Sequence, residues 1–224
     1  GKTDGTGHDM ISALMEQSYK GGRDINDREI AHMMIALLMA GQHTSSATGS
    51  WAMLRLASRP EIIEELYEEQ VRVYSDGAGG FAPLDYDTQK SSVPVLDAVI
   101  RETLRMHPPI HSLMRRVKSD MVVPPTLAAP KTGKGQSTDT YVIPKGHYLV
   151  AAPGVSQIDP HVWCDADKFD PHRWLGDKTL IDQTDDAQED FGWGLVSTGA
   201  NSAYLPFGAG RHRCIGEQFA YLQL

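Results

Sequence analysis

The stretch Phe207-Gly208-Ala209-Gly210-Arg211-His212-Arg213-Cys214-Ile215-Gly216 decides how this chain is interpreted, because its parts make chemical sense together around a metal-binding thiolate. We expect Cys214 to lie at the start of a helix, where the helix dipole and free backbone N–H groups favour an anion. Arg211 and Arg213 favour the anion further, so this thiol should ionise more readily than a free one. The stretch therefore predicts Cys214 as the metal ligand.

The glycines of this stretch indicate what kind of group the metal belongs to. Gly208, Gly210 and Gly216 allow the backbone to approach a large flat group and to adopt conformations closed to other residues. Backbone N–H groups that point at the sulfur would tune the metal, and Phe207 would shield the sulfur from water. The alternative is a buried cysteine beside a glycine-rich turn.

Composition narrows the class of protein. The formal net charge is -8, with 21 Lys+Arg against 29 Asp+Glu, which argues against a nucleic-acid binder. The two cysteines, Cys164 and Cys214, imply no disulfide framework, so we expect a reducing compartment. Cys164 lacks the surroundings of Cys214 and is interpreted as an incidental thiol. The first ten residues predict neither a signal peptide nor an anchor, and the start looks internal.

Capping patterns predict the helices. Asn26 and Glu29 have capping-box spacing, and helix-compatible residues continue to Ser58, which predicts a helix of about 30 residues. Its apolar run, from Ile30 to Gly41, is too short to cross a bilayer and predicts a buried helix. A second capping box at 58–61 predicts a new helix near Arg59.

The second half of the chain changes from helical to strand-like patterns. A helix is predicted from Pro94 until Pro108 and Pro109 end it. Short β-like runs at 121–123, 141–143 and 147–152, the last two joined across 144–146, predict small antiparallel sheets. Polar stretches at 131–140 and 182–190 predict surface loops. The segment 215–224 looks helical and lacks a C-cap, so we expect the natural chain to continue. The predicted fold class is mainly α with small antiparallel β-sheets.

The pattern F-x-x-G-x-x-x-C-x-G, as it stands at Phe207, Gly210, Cys214 and Gly216, resembles the haem-binding signature of the cytochrome P450 family, and the whole chain is most similar to its fungal sterol 14α-demethylase branch. The resemblance implies a partial cytochrome P450 fold over residues 1–224, truncated at both ends. It also implies haem b, with Cys214 as the proximal ligand whose electron donation promotes O–O cleavage.

A pair of charged residues supports this resemblance. Glu102 and Arg105 match the family's E-x-x-R, in which an i, i+3 pair lies on one helix face. Arg173, in the segment Phe169-Asp170-Pro171-His172-Arg173-Trp174, would complete a buried structural triad that braces the cysteine loop; the alternative is a surface arginine. A second E-x-x-R match, Glu69 with Arg72, is interpreted as a solvated face.

Polar residues interrupt the long predicted helix at Ala40-Gly41-Gln42-His43-Thr44. A buried threonine can bond the carbonyl one turn back and bend the helix. In the family the matching groove binds dioxygen beside the haem, so the resemblance implies that Thr44 helps to deliver protons. His43 stands where most members have an acid, a departure seen in the sterol demethylase branch. The alternative is an ordinary core threonine and histidine.

The segment His111-Ser112-Leu113-Met114-Arg115-Arg116-Val117 resembles the part of the family that lines the sterol pocket. Met114 departs from the aromatic residue often found there, a difference that bears on the shape of the pocket and on substrate preference. Arg115 and His212 would reach haem propionates. The alternative is a basic surface strand. The residues that the resemblance places against substrate are Ala36, Ala40, His111, Ser112, Leu113 and Met114.

For the full-length protein the resemblance implies oxidative removal of the 14α-methyl group of lanosterol or eburicol in ergosterol biosynthesis, with the methyl leaving as formate. Electrons would come from NADPH-cytochrome P450 reductase, which the basic cluster Arg211-His212-Arg213 would dock. We expect the full-length protein to lie at the endoplasmic reticulum membrane, on its cytosolic face, with an anchor outside this chain. We also expect the fragment alone to be inactive. One alternative is a haem-thiolate oxygenase that acts on another substrate. The other is a non-haem α+β binding or structural domain. A zinc site in such a domain has little support, because no second Cys/His pair has suitable ligand spacing.

Overall fold

The computed structural model describes residues 9–83, 85–123, 141–175, 204–209 and 212–224 of the chain. These residues form two compact units. The first contains the described residues up to Ile100 together with Cys214–Leu224, and the second contains those from Arg101 to Arg213.

Helices dominate the described residues, and the strands form small antiparallel sheets, so the predicted fold class is confirmed. In chain order the elements are α1 (Met10–Met15), α2 (Asp27–Leu56), α3 (Pro60–Tyr74), α4 (Tyr86–Ser92), α5 (Pro94–Met106), β1 (Leu113–Arg116), β2 (Met121–Val123), β3 (Tyr141–Ile143), β4 (Tyr148–Ala151), α6 (Pro153–Ser156), a 3-10 turn (Pro171–Trp174) and α7 (Glu217–Gln223).

The start of α2 is fixed by the predicted capping box. The Asn26 side chain accepts a hydrogen bond from the Glu29 backbone N–H at 3.0 Å, and the Glu29 carboxylate accepts one from the Asn26 N–H at 3.1 Å. Arg23 donates two further bonds to Glu29, and these lower the pKa of the Glu29 carboxyl to about 2. The helix runs for 30 residues, as predicted.

The prediction that the apolar run of α2 is buried is wrong for this chain. Ile30 is buried, but Ile35, Leu38 and Met39 are exposed, Leu38 to 68%. An apolar run indicates that its side chains favour burial, but it does not identify the residues that would cover them. Among the described residues, no side chain covers this face. Within the same ranges, we find no helix that combines the length and the apolar character needed to cross a bilayer.

Helix α3 begins where the sequence predicts, but without the predicted second capping box. Arg59 is the N-cap and makes no side-chain capping bond. Ser58 instead donates its hydroxyl to the Arg55 carbonyl at 3.0 Å. Ser58 therefore binds a carbonyl at the C-terminal end of α2 and does not cap the start of α3.

Glu69 of α3 is not on a solvated face, so that prediction is wrong. Its side chain is only 2% exposed. The two carboxylate oxygens accept the backbone N–H groups of Val95 and Leu96 at 2.8 and 2.9 Å. The first N–H groups of a helix have no partner within the helix, and a carboxylate there also meets the positive end of the helix dipole. Glu69 therefore caps α5 from another helix.

We expect Glu69→Ala to lower the free energy of unfolding by about 1 to 3 kcal/mol, because two partly buried N–H groups lose their acceptor. Chemical denaturation of the full-length protein would measure this change. Glu68→Ala is the matched control, since Glu68 lies on the same helix and is exposed. Equal stability changes for the two variants would contradict the capping role.

The four strands form two nested pairs, so the first strand pairs with the last and the second with the third. β1 pairs with β4, and β2 pairs with β3, both antiparallel. The predicted turn at 144–146 does join β3 to β4, but these two strands belong to different sheets. β1 lies within residues 111–117, the segment whose alternative interpretation was a basic surface strand. The predicted loops at 131–140 and 182–190 lie outside the described residues.

The last helix is shorter than the sequence suggests. α7 begins at Glu217 with Gly216 as its N-cap, so Cys214 precedes the helix and does not lie in its first turn. Two side chains hold α7 within the first unit. Gln89 of α4 donates to the Tyr221 carbonyl at 2.8 Å, and Ser45 of α2 donates to the Gln223 side chain at 3.0 Å.

Candidate functional site

Glu102 lies at the centre of a buried charge cluster in the second unit. Its side chain is fully buried. Oε1 accepts hydrogen bonds from Arg105 Nη2 at 2.9 Å, Arg173 Nε at 3.0 Å and the Asp170 backbone N–H at 3.0 Å. Oε2 accepts from Arg105 Nε at 2.9 Å and Trp174 Nε1 at 3.0 Å. The carboxylate is therefore saturated with donors, and the three residues of the predicted triad lie in direct contact.

Arg105 is also fully buried, and each N–H group of its guanidinium has a hydrogen-bond acceptor. Besides its bonds to Glu102, Nη1 donates to the carbonyls of Gln157 at 2.8 Å and Ala166 at 2.9 Å. Nη2 also donates to the Lys168 carbonyl at 3.0 Å. A guanidinium carries five N–H donors in a planar fork, and these contacts use all five of them.

Backbone carbonyls offset the excess positive charge of this cluster. Two guanidinium ions share one carboxylate, and burying an unpaired charge is costly. Arg173 donates to the carbonyls of Cys164 at 2.7 Å and Asp165 at 3.1 Å. Asp165 has a φ of 47°, a left-handed conformation that aspartate adopts more readily than most residues. This turn presents both carbonyls to Arg173.

An aromatic cluster packs around the charges. The ring centroids of Trp163 and Trp174 lie 5.7 Å apart, and those of Trp174 and Tyr204 lie 4.8 Å apart. The Arg105 guanidinium lies 5.4 Å from the centroid of Trp163, a cation–π distance. The Tyr204 hydroxyl donates to the Arg101 carbonyl at 3.3 Å. These rings exclude water from the cluster and so strengthen its hydrogen bonds.

Sequence reasoning missed two contributors to this cluster. Trp174 was part of a quoted motif, but its indole bond to Glu102 was not foreseen. Gln157 is fully buried; its side-chain amide donates to the carbonyls of Leu104 and Arg105 and accepts from the Leu205 N–H. No motif marks Gln157, and its partners are about 50 residues distant in sequence.

The described part of the cysteine loop belongs to the second unit up to Arg213. Gly208 has a φ of +71°, which a residue with a side chain would adopt only with strain. Phe207 is half-buried and His212 is exposed. The predicted site residues Gly210 and Arg211 lie outside the described residues.

Cys214 and its surroundings belong to the first unit. The thiol is free and exposed. A Cβ built on Gly216 would lie 3.8 Å from Cys214 Sγ, an ordinary contact distance. In the described ranges no group of three or more His, Cys, Asp or Glu side chains is placed to hold a metal ion. Cys164 is exposed as well.

Thr44 makes the hydrogen bond that the sequence suggested. Its Oγ1 donates to the Ala40 carbonyl one turn earlier at 2.8 Å, with Gly41 O at 3.5 Å. The helix remains continuous through this point. Thr44 is half-buried and His43 is exposed. Ala36 and Ala40 are exposed too, so this face of α2 is open.

The candidate pocket segment forms the start of β1 and the residues before it. His111 and Ser112 are exposed, and their side chains share a hydrogen bond of 2.8 Å. Leu113 is half-buried and Met114 is exposed. Arg115 is exposed and donates to the Met114 carbonyl at 2.9 Å. The structure brings these five residues together along one short stretch of the second unit.

Comparison with known proteins identifies the family. The chain is 69% identical over 97% of its length to the lanosterol 14-alpha demethylase of Mycosarcoma maydis, covering 39% of that protein. It is 52% identical to the eburicol 14-alpha-demethylase of Uncinula necator and 50% identical to the sterol 14-alpha demethylase CYP51A of Gibberella zeae, each over 97% of this chain and 39% of the relative. The chain thus spans about two fifths of the length of these relatives.

The sequence model of the family described as Cytochrome P450 matches residues 2–224, which is nearly the whole chain. The matched range contains the buried cluster of Glu102, Arg105 and Arg173 as well as Cys214. The chain belongs to the cytochrome P450 family.

Proposed function

We propose that the full-length protein is a sterol 14α-demethylase, a haem-dependent monooxygenase that removes the 14α-methyl group of lanosterol or eburicol in ergosterol biosynthesis. The observation that carries the proposal is the similarity of nearly the whole chain to relatives that bear such names. We also propose that residues 1–224 are part of a longer cytochrome P450 domain. Their coverage of the relatives and the uncovered apolar face of α2 support this.

The family implies haem, and the residues of this chain fit it. Cys214 offers an exposed soft sulfur donor, the type of ligand that suits thiolate-bound haem iron. A Cβ built on Gly41 would meet no atom within 4 Å, so α2 leaves room against its backbone. We propose haem b, and Cys214 would supply the thiolate sulfur that binds its iron. When bound, the haem supplies the iron at which dioxygen is reduced and used to oxidise the methyl group.

We propose the following roles for the remaining site residues. Phe207, Gly208 and Gly210 would form the wall around the sulfur, Ala40 and Gly41 the floor beside the haem, and Arg115 and His212 the partners of its propionates. The Glu102, Arg105 and Arg173 cluster would brace the loop. The proposed substrate contacts are Ala36, Ala40, His111, Ser112, Leu113 and Met114.

Thr44 is suited to proton transfer because of its hydrogen bond to Ala40. Its single O–H donates to the Ala40 carbonyl, so the oxygen lone pairs remain available to accept a hydrogen bond from a water molecule, which would replace the proton that the hydroxyl gives up. Rotation of the hydroxyl would then donate a proton into the groove. The exposed imidazole of His43, next in the chain, would exchange protons with solvent.

Electrons would come from NADPH-cytochrome P450 reductase. The cluster Arg211, His212 and Arg213 is a local excess of positive charge in an acidic chain, and such a patch favours an acidic partner surface. We place the full-length protein at the endoplasmic reticulum membrane, on the cytosolic face, where an apolar sterol is accessible. The anchor would lie in parts of the protein beyond residues 1–224.

Spectral titration of the full-length protein with lanosterol and eburicol tests this function. We expect each sterol to shift the haem spin state, and reconstitution with the reductase to release formate from the 14α-methyl group. A sterol without that methyl is the control and should release none. A thiolate haem spectrum with no response to either sterol would indicate another substrate. The lack of any haem spectrum would refute the proposal that the protein is a haem-dependent monooxygenase.

A further inference from the structure

We propose that Gln157 is a positioning residue that ties the C-terminal end of α5 to the segment leading into the cysteine loop, and thereby helps to retain the haem. The proposal rests on the ligand role of Cys214 proposed above. It concerns a residue that belongs to no recognised motif of the chain and makes its contacts within the second unit.

The first half of the argument is the end of α5. The last carbonyls of a helix have no partner within the helix. The His107 N–H satisfies the Thr103 carbonyl at 2.8 Å. The Gln157 amide satisfies the next two, since Nε2 donates to Leu104 O at 3.0 Å and to Arg105 O at 2.9 Å. Gln157 therefore caps the turn of α5 that carries Arg105.

The second half is the other end of the same amide. Gln157 Oε1 accepts a hydrogen bond from the Leu205 backbone N–H at 2.8 Å. Leu205 lies between Tyr204, whose ring packs in the aromatic cluster, and Pro206, which is followed by Phe207 and Gly208. One planar amide thus fixes the distance between the helix end and the segment from which the loop departs.

The backbone of Gln157 joins this arrangement to the charge cluster. The Gln157 carbonyl accepts Arg105 Nη1 at 2.8 Å, while the Gln157 side chain donates to the Arg105 carbonyl. Arg105 and Gln157 therefore hold each other by both main chain and side chain. A displacement of either residue would be transmitted to Leu205.

Glutamine suits this position because of its hydrogen-bonding capacity. The side chain is fully buried and uses two N–H donors and one carbonyl acceptor. A glutamate would present oxygen to two carbonyls, and a methionine of similar length would leave two carbonyls and one N–H without partners. Buried polar groups left without partners are costly.

The test uses the full-length holoprotein with Gln157→Met and Gln157→Asn. We expect haem transfer to excess apomyoglobin to be about tenfold faster for Gln157→Met than for the wild type. The carbon monoxide spectrum of the reduced variant should also show less of the thiolate band. Gln157→Asn keeps the amide but is too short to reach both sides, so its rate should lie between the other two. If Gln157→Met yields no holoprotein, the asparagine variant decides.

Ile62→Ala is the control for a general loss of stability, because Ile62 is a buried apolar residue of α3 and belongs to no proposed site. We expect it to lower the melting temperature while retaining the thiolate band and the wild-type rate of haem loss. Wild-type haem retention in Gln157→Asn, or equal acceleration by Ile62→Ala at the same loss of melting temperature, would overturn the proposal. The wild-type spectrum judges the proposed function separately, since a wild type without a thiolate band would refute the ligand role itself.

Discussion

Replacing Cys214 with serine in the full-length protein is expected to abolish the thiolate band in the carbon monoxide spectrum of the reduced enzyme. The serine hydroxyl remains protonated near neutral pH and donates far less charge to iron than a thiolate does. Monooxygenase activity should fall to background as a consequence. Absorption spectroscopy of the purified variant, with haem quantified separately, measures both the occupancy and the ligand type.

Cys164→Ser is the matched control, because Cys164 is the other free and exposed cysteine of the chain. Its contact to the charge cluster is made by the backbone carbonyl, which the substitution leaves in place. We expect a wild-type spectrum from this variant. A thiolate band that persists in Cys214→Ser but disappears in Cys164→Ser would reverse the assignment of the two cysteines.

Glu102→Gln is expected to destabilise the folded protein by about 3 to 5 kcal/mol, the usual effect of removing one partner from a buried ion pair. The substituted amide turns one acceptor oxygen into a donor that faces other donors, either those of Arg105 and Trp174 or those of Arg105, Arg173 and Asp170. Two buried guanidinium ions then lack a counter-ion. Urea denaturation would measure the lost stability.

Glu61→Gln serves as the control for this charge change, since Glu61 is exposed on the first turn of α3. Its effect on stability should stay within about 0.5 kcal/mol. If Glu102→Gln unfolded at the same urea concentration as the wild type, the cluster would be a weak contributor to stability. Its bracing role would then have to be abandoned.

Sequence patterns predicted best what neighbouring residues determine. The capping box of Asn26 and Glu29 joins residues three apart, so both its presence and the start of α2 followed from local pattern. The hydroxyl bond from Thr44 to Ala40 is local in the same sense. The pair Glu102 and Arg105 was also visible, because i, i+3 spacing places both on one helix face.

Contacts between distant residues escaped prediction unless the family resemblance implied them, as it did for Glu102 and Arg173. The charge-rich sequence of α3 suggested that Glu69 is solvated, yet its partners are backbone N–H groups 26 and 27 residues further on. Backbone groups carry no sequence signature, so nothing marked Val95 and Leu96 as the missing partners. The same reason hid Gln157, whose side-chain hydrogen bonds join it to the main-chain atoms of Leu104, Arg105 and Leu205.

The anchoring of α7 has a consequence for the order of events during protein synthesis. Gln89 and Ser45 lie 132 and 178 residues before their partners in α7. Both side chains are therefore translated long before the helix that follows Cys214. They lack these two hydrogen-bond partners until that helix has been made. Because Cys214, the proposed sulfur ligand, is translated just ahead of that helix, the proposed bond between its sulfur and the haem iron cannot form until almost all of residues 1–224 have been made.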